Sequence, residues 1–512
     1  MKKHWLKVSF FCLLTFVLSC KSTEKKGKTV FPNVILIYAD DLGYGDLSSY
    51  GGKIATPHID RLADHGILHC NAYAAASTCT PSRYTLLTGE YAWREKGRGV
   101  INGNEKALIP RGRQTVASVF KKAGYTTAVI GKWHLGLGDE NGIDWNTQIS
   151  NIPEDIGFDE SFIMPATSDR VPCVYVSNGK VLNLDPTDTL AVSYQKKIGN
   201  LPTGKENPEL LKLKYSHGHD MTIVNGISRI GYQSGGMSAV WKDENIADDF
   251  VRESKKFIIK NKQKPFFLYL ATNNIHVPRM PHPRFQGKTS QGLRGDAILE
   301  LDDMVGSISK TLDSLQIAEN TIIIFSSDNG AVLDDGYADQ AIEKSGEHNP
   351  FGALRGAKYS VYEAGTRIPM IVSWKGNIKK QTSQALVSQT DFIASVGAML
   401  NVRIDSNQAF DAKNQWDSWI GKDKKGRSEI VQEAIQNTLS IVEGDYKYIE
   451  PSKSKMKVAW QTGIETGFSD KPQLYNLKQD PAEKVNLAEQ QPQLVIDLAK
   501  KLDSIKNQHK GK

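Results

Sequence analysis

Asn33-Val34-Ile35-Leu36-Ile37-Tyr38-Ala39 is a continuous apolar, β-branched run that stops abruptly at Asp40-Asp41. With no polar alternation it reads as a strand buried on both faces, the habit of a parallel sheet. The same texture returns at residues 126–130, 265–271 and 321–327, and helical spacing fills the intervals. Ile59, Leu62 and Ala63 recur in this way before the stop at Gly66, as do Ile246, Phe250 and Phe257 within residues 243–260. Residues 115–123 ahead of Gly124 and 296–315 read as two further helices. This alternation predicts an α/β fold, a large, mostly parallel sheet sandwiched by helices.

Polar residues collect where the predicted strands end. Asp40-Asp41 follow the first strand, Gly131-Lys132-Trp133-His134-Leu135-Gly136 the second and Asp328-Asn329-Gly330 the last, while His276 lies five residues beyond the third. Open parallel sheets place their ligands at these carboxyl ends. Two adjacent acids after a buried strand face water in a turn or bind a cation. The oxygen set Asp40, Asp41, Asp328 and Asn329 suits calcium or magnesium, not zinc. Histidine titrates near neutrality, which suits His134 to acid–base work.

Between the first two strands lies Cys79-Thr80-Pro81-Ser82-Arg83-Tyr84-Thr85-Leu86-Leu87-Thr88-Gly89. Pro81 stiffens the start of a helix, so Cys79 sits at or just before an N-terminus, an end that favours anions. Arg83 lies one turn further on the same face, placed to hold an oxyanion or the side chain of residue 79. A lone cysteine is ordinarily a buried apolar residue, so the weight rests on the whole stretch. That stretch resembles the signature of type I sulfatases, members of the alkaline phosphatase superfamily. Three further stretches are similar to the same family: Asp40-Asp41-Leu42-Gly43-Tyr44-Gly45-Asp46, residues 131–136, and residues 354–369, where Ala364 replaces one of a more usual pair of glycines.

The resemblance spans nearly all of residues 30–490 and implies a specific chemistry. Cys79 is expected to be oxidised by a formylglycine-generating maturase to formylglycine (3-oxoalanine), whose hydrate attacks the sulfur of a sulfate ester. One Ca2+ per chain is expected on Asp40, Asp41, Asp328, Asn329 and residue 79, with Asp328 as proton acceptor. Lys132 and Lys358 are expected to hold sulfate, and Arg83 to stabilise charge beside them. His134 would help the spent hydrate expel sulfate, and His276 would protonate the leaving alcohol or hold the sulfate.

Residues 1–19 have Lys2, Lys3 and Lys7 ahead of an apolar run too short to span a bilayer, the pattern of a secretory signal peptide. Val17-Leu18-Ser19-Cys20 resembles a bacterial lipobox, which implies an exported lipoprotein anchored through lipid on Cys20, in the outer membrane or periplasm. The Lys-rich residues 20–30 read as its tether. Removing residues 1–19 deletes three lysines and no acid, so the formal charge falls from +7 to +4. That excess suits a polyanionic substrate and is too small to argue nucleic-acid binding. Cys70 and Cys173 are left as one possible disulfide pair, which is no framework.

The catalytic domain is expected over residues 31–400. Within it, residues 140–243 are loop-rich and read as an insertion that walls the substrate pocket, with His217, His219, Asp220 and Arg229 on its rim. Residues 401–512 read as a smaller C-terminal antiparallel-sheet subdomain that ends in an amphipathic helix. The expected function is an exo-acting carbohydrate sulfatase acting on sulfated oligosaccharides of ulvan, carrageenan or glycosaminoglycan type. Two rivals remain: a phosphomonoesterase or phosphonate hydrolase of the same superfamily, and a catalytically dead glycan-binding lipoprotein. A two-zinc phosphatase needs His-rich ligands and a Ser or Thr nucleophile, and a binding module has no need of a maturation stretch.

Overall fold

The computed structural model describes residue 1 and residues 31–508. The signal peptide, the tether and Cys20 lie outside the described residues. Pro32–Lys512 forms one unit by its internal contacts. At its centre, Asn33–Ala39 pairs in parallel with Thr321–Ser327 on one side and with Phe266–Ala271 on the other. Phe266–Ala271 in turn pairs with Thr126–Lys132, and that strand with Glu160–Met164, again in parallel. Among the described residues they form the middle of a ten-stranded mixed sheet, with shorter antiparallel additions toward its edges.

Every residue of Asn33–Ala39 is buried, as an unbroken apolar run requires. Ile35, Ile37, Leu268 and Leu270 pack with residues of the helices Pro57–Asp64, Ile246–Asn261 and Gly292–Ser314. From the helix Val116–Lys122, Phe120 stacks on Phe267 at 4.1 Å. Burying each such side chain contributes roughly 1.5–3 kcal/mol, so the alternating faces of one strand anchor two helical layers.

Register decides where chemistry can collect. Ala39 pairs with Ser327, and the Asp328 N–H reaches the Ala39 carbonyl at 3.1 Å. The acids after the two strands therefore leave the sheet side by side. Gly131 pairs with Ala271, and a Cβ on it would meet the Ala271 carbonyl oxygen at 1.8 Å. With φ +115°, it is a position only glycine fills, and it delivers Lys132 to the same edge.

The span read as an insertion adds three strands to the main sheet, the two-residue edge strands Val176–Ser177 and Lys180–Val181 and, inside them, the longer strand Glu160–Met164. Its few apolar residues sit among loop signals, so periodicity alone does not reveal it. Beyond it, Ala191–Ser193 pairs with Tyr232–Ser234, and Ile223–Val224 with Ile227–Ser228. Cys70 and Cys173 are both free thiols.

Near the C-terminus, Glu429–Glu433, Leu439–Glu443, Tyr446–Ile449 and Gln473–Asn476 form a four-stranded antiparallel sheet. The helix Pro492–Asn507 contributes Leu498 and Leu502 to its core. The sheet is joined to the segment ahead of Cys79: the Glu433 N–H donates to the Ala75 carbonyl, and the Ser77 N–H to the Glu433 carbonyl. Lys447 is buried between Glu363 and Glu483 at 3.0 and 3.1 Å.

Candidate active site

Asp40, Asp41, Asp328 and Asn329 are all fully buried at the carboxyl edge of the sheet. Lys132 Nζ lies 2.5 Å from Asp40 Oδ2, and Asn329 Nδ2 donates to Asp41 Oδ1 at 2.7 Å. Arg83 places Nε and Nη2 at 3.0 and 2.8 Å from Asp328 Oδ2, and its Nη1 donates to the Lys132 carbonyl. Arg83, which its spacing places to hold an oxyanion or the side chain of residue 79, is engaged with a carboxylate. A guanidinium fork beside a buried carboxylate is a strong pairing that little else competes for.

Two buried oxygens, Asp40 Oδ1 and Asn329 Oδ1, make no hydrogen bond. An orphaned acceptor costs about 1–3 kcal/mol unless something satisfies it. A hard cation would do so, and the donors converging here are oxygens. Asp40, Asp41 and His276 bring one potential ligand atom each within 4.8 Å of one another. Burial pushes the Asp40 carboxyl well above the usual range, against the pull of Lys132. A divalent cation would favour its ionised form, so the residues present fit a bound metal.

Cys79 is the first residue of the helix Cys79–Thr88, all ten residues of which are buried. Thr78 makes no side-chain cap and Pro81 has no N–H, so the first turn offers an anion the N–H groups of Cys79 and Thr80. Gly89, at φ +68°, closes the helix. Cys79 Sγ lies 3.2 Å from His134 Nδ1, and His134 Nε2 lies 2.9 Å from the Ile101 carbonyl. A carbonyl only accepts, so Nε2 carries the hydrogen and Nδ1 presents its lone pair to residue 79. Burial, then Lys132 and Arg170, hold His134 well below the ordinary histidine range, so the ring stays neutral. Burial also raises the Cys79 thiol.

Lys358 Nζ donates to Asp41 Oδ2 at 2.9 Å and to Asp335 Oδ2 at 3.0 Å. Burial opposes its charge, but Asp335 and Asp41 outweigh burial and hold the ammonium well above its ordinary range. Ala364, one residue after the buried Glu363, takes no positive φ, so its Cβ is accommodated in the turn Glu363–Thr366. His276 Nδ1 lies 2.6 Å from the Val277 carbonyl, and Nε2 lies 3.8 Å from Asp41 Oδ2. In the neutral ring Nε2 is then the open nitrogen.

These groups floor a cavity of about 590 Å³ lined by Cys79, His276, Asp335 and Lys358. Its wall carries Asp169, Arg170, His217 and His219. His219 Nε2 lies 3.0 Å from Asp169 Oδ2, and Arg170 Nη1 donates to both Asp169 oxygens. Of the four residues expected on the rim, His217 and His219 line the cavity; Asp220 and Arg229 do not. Arg229 is fully buried and donates to both oxygens of Asp243 at 2.8 Å, so it braces the segment from within. Asp169, Arg170 and Asp335 escaped the sequence reading because they sit in aperiodic loops. Asp169 and Arg170 follow the strand Glu160–Met164 within a few residues, a signal available only once that strand is recognised.

A family model described as sulfatase matches residues 32–402. The N-acetylgalactosamine-6-O-sulfatase of Bacteroides thetaiotaomicron is 53% identical over 476 residues, 93% of either chain. Human arylsulfatase A is 28% identical over 481 residues, 89% of this chain and 83% of that one. A solved structure from the metabolism of multiple glycosaminoglycans by Bacteroides thetaiotaomicron superposes with a TM-score of 0.92 at 52% identity, covering 93% of this chain and all of that one. The buried acids, the helix headed by Cys79 and the match over most of the sequence lead to one conclusion: the chain belongs to the sulfatase family and is a sulfuric ester hydrolase.

Proposed function

We propose that the protein is an exo-acting carbohydrate sulfatase that removes sulfate from a terminal sugar, with 6-sulfated N-acetylgalactosamine as its leading substrate. The observation that carries this reading is the cavity, where Asp169, Arg170 and His219 stand on the wall above Cys79. Charged and imidazole groups that already hydrogen-bond one another are suited to exchanging those bonds for sugar hydroxyls, which fixes orientation. The name of the 53% identical relative supports the choice of sugar. A cavity with a buried floor and an exposed mouth suits a chain end.

Residue 79 is proposed to be formylglycine, installed by a maturase, and the acids to hold Ca2+. The resemblance of the stretch Cys79–Gly89 to the family's signature supports the first point, and burial raises the thiol, so the unmodified side chain is no ready thiolate nucleophile. When bound, the cation supplies Lewis-acid polarisation of a sulfate oxygen, and the hydrated aldehyde supplies the attacking hydroxyl. The chain's own groups do the rest. Lys358 and Lys132 place positive charge around the equatorial oxygens, which lowers the cost of charge developing there. Neutral His134 accepts a proton at Nδ1 from the side chain at position 79. His276 Nε2 borders the floor as an unprotonated nitrogen, since burial, Lys358 and Lys132 disfavour the charged ring, so it accepts a hydrogen bond there and must take up a proton before it can pass one to the departing sugar oxygen.

Export and a lipid anchor on Cys20 are proposed from the N-terminal sequence, and Cys20→Ala should move the protein from the membrane fraction to the soluble one. Substrate choice is tested by sulfate release from sulfated mono-, oligo- and polysaccharides. The expected order places short chains ending in 6-sulfated N-acetylgalactosamine first, with Asp169→Ala lowering kcat/KM on them by about 100-fold. Faster release from an intact polymer than from its oligosaccharides would refute the exo reading.

A further inference from the structure

We propose that Trp460, carried by the C-terminal part of the chain, is a stacking platform for the second sugar of the substrate, the ring next to the one that bears the sulfate. The proposal rests on the carbohydrate reading above. The lining of the cavity is buried at Cys79, His276 and Lys358 but 41% exposed at Val100 and 58% exposed at Trp460. Those two residues therefore mark its mouth. A single exposed apolar side chain needs no explanation by itself, but three features set Trp460 apart.

The first is place: an indole stands at the entrance of a cavity whose lining joins charged and imidazole side chains to the apolar and aromatic surface of Val100, Ile230 and Tyr359. The second is backbone conformation. Trp460 has φ +45°, an outlier for a bulky side chain, in the turn closed by the Thr462 N–H on the Ala459 carbonyl at 3.0 Å. Glycine or asparagine would fill that position without strain, and strain of this kind collects at functional sites. The third is support. The Trp460 ring meets Tyr359 edge-to-face at 4.9 Å and 88°. Tyr359 is itself buried, with its hydroxyl on Asp335 Oδ1 at 2.8 Å.

The loop is also tied to the sulfate end of the site. Its base is the Val458–Glu465 bridge; Glu465 pairs with Arg355 at 2.7 Å, and the Val361 N–H donates to the Thr466 carbonyl at 2.9 Å. The distance from Trp460 to Lys358 is thereby set by backbone pairing. A sulfate ester seated on the floor brings its own ring against Asp169, Arg170 and His219. The next ring outward then meets the indole, and a pyranose offers its C–H face to an aromatic π-face. Gln461, exposed beside it on the cavity lining, offers an amide to that ring's hydroxyls.

The test uses matured, metal-loaded enzyme and two substrates with the same 6-sulfated terminal sugar, one a monosaccharide and one a disaccharide. Trp460→Ala should raise KM for the disaccharide by about tenfold with kcat little changed. Its kcat/KM on the monosaccharide should stay at the wild-type value, and Trp460→Phe should recover most of the loss. Equal losses on both substrates would mean that Trp460 acts through Tyr359 and Lys358 and not on the second ring, which overturns the proposal. No loss on either overturns it too. Wild-type enzyme inactive on both sugars while cleaving another sulfate ester would instead overturn the carbohydrate reading, an outcome the wild-type control separates from the other two.

Discussion

Arg83 and Asp328 are joined by two nitrogens on one oxygen: Nε and Nη2 both reach Asp328 Oδ2, which leaves Oδ1 facing the Asp41 N–H at 3.3 Å. The helix that starts at Cys79 and the strand end that bears the acids are locked together by this contact. The side chain at position 79 and the buried acids are thus held at one spacing. Arg83→Lys keeps the charge but cannot make both bonds, so activity should fall by about 100-fold while the protein still folds. Arg83→Ala leaves Asp328 buried and uncompensated and should cost about 3–5 kcal/mol, read as a drop in denaturation midpoint. Wild-type kcat in Arg83→Lys would show that the fork does not matter.

Maturation can be read from one peptide. Trypsin releases residues 62–83, which contain both Cys70 and Cys79. Active protein should show one alkylatable thiol there and an aldehyde at position 79, and Cys79→Ala should lower turnover by about 1,000-fold or more. Two alkylated thiols in fully active enzyme would remove formylglycine from the mechanism.

Metal binding should register as stability as well as activity. A ligand that binds only the folded state adds about 2.7 kcal/mol at 100 times its Kd. Calcium should therefore raise Tm by a few degrees, chelation should reverse the rise, and Asp41→Asn should lose most of the response. A Tm indifferent to calcium and to chelation would refute the cation site.

Glu433 gives a pH-dependent prediction away from the catalytic floor. Burial pushes its carboxyl up to about 8, against a hydrogen bond from the Trp93 backbone. The folded protein keeps a proton that the unfolded chain releases near pH 4.5, so this group's contribution to stability falls as pH rises from about 4.5 to 8. Glu433→Gln should gain stability relative to wild type at pH 8 and little at pH 5. Parallel Tm-against-pH curves for the two proteins would contradict it.

Much of the site was legible before any coordinates. Asp40, Asp41, Asp328 and Asn329 follow two apolar runs, and such runs become central parallel strands whose carboxyl ends carry ligands. The stretch from Cys79 to Gly89 announced a helix, and Cys79 is its first residue. Glu160–Met164 was missed because a short strand inside a polar segment gives no periodic signal. With it went Asp169 and Arg170, the residues that wall the cavity.

The sequence by itself determined the α/β alternation, the chemical types at the strand ends and the sulfatase resemblance of the stretch that begins at Cys79, because these depend on neighbours in the chain. Tertiary structure alone decided which charge meets which. Arg83 turned to Asp328, Lys358 to Asp41 and Asp335, and Arg229 to Asp243 instead of the rim. It also brought Trp460 to the mouth of a cavity floored by Cys79. The reason is physical: a buried charge takes the partner that packing brings within hydrogen-bond reach, and that partner lies hundreds of residues away as often as a few, beyond anything local spacing encodes.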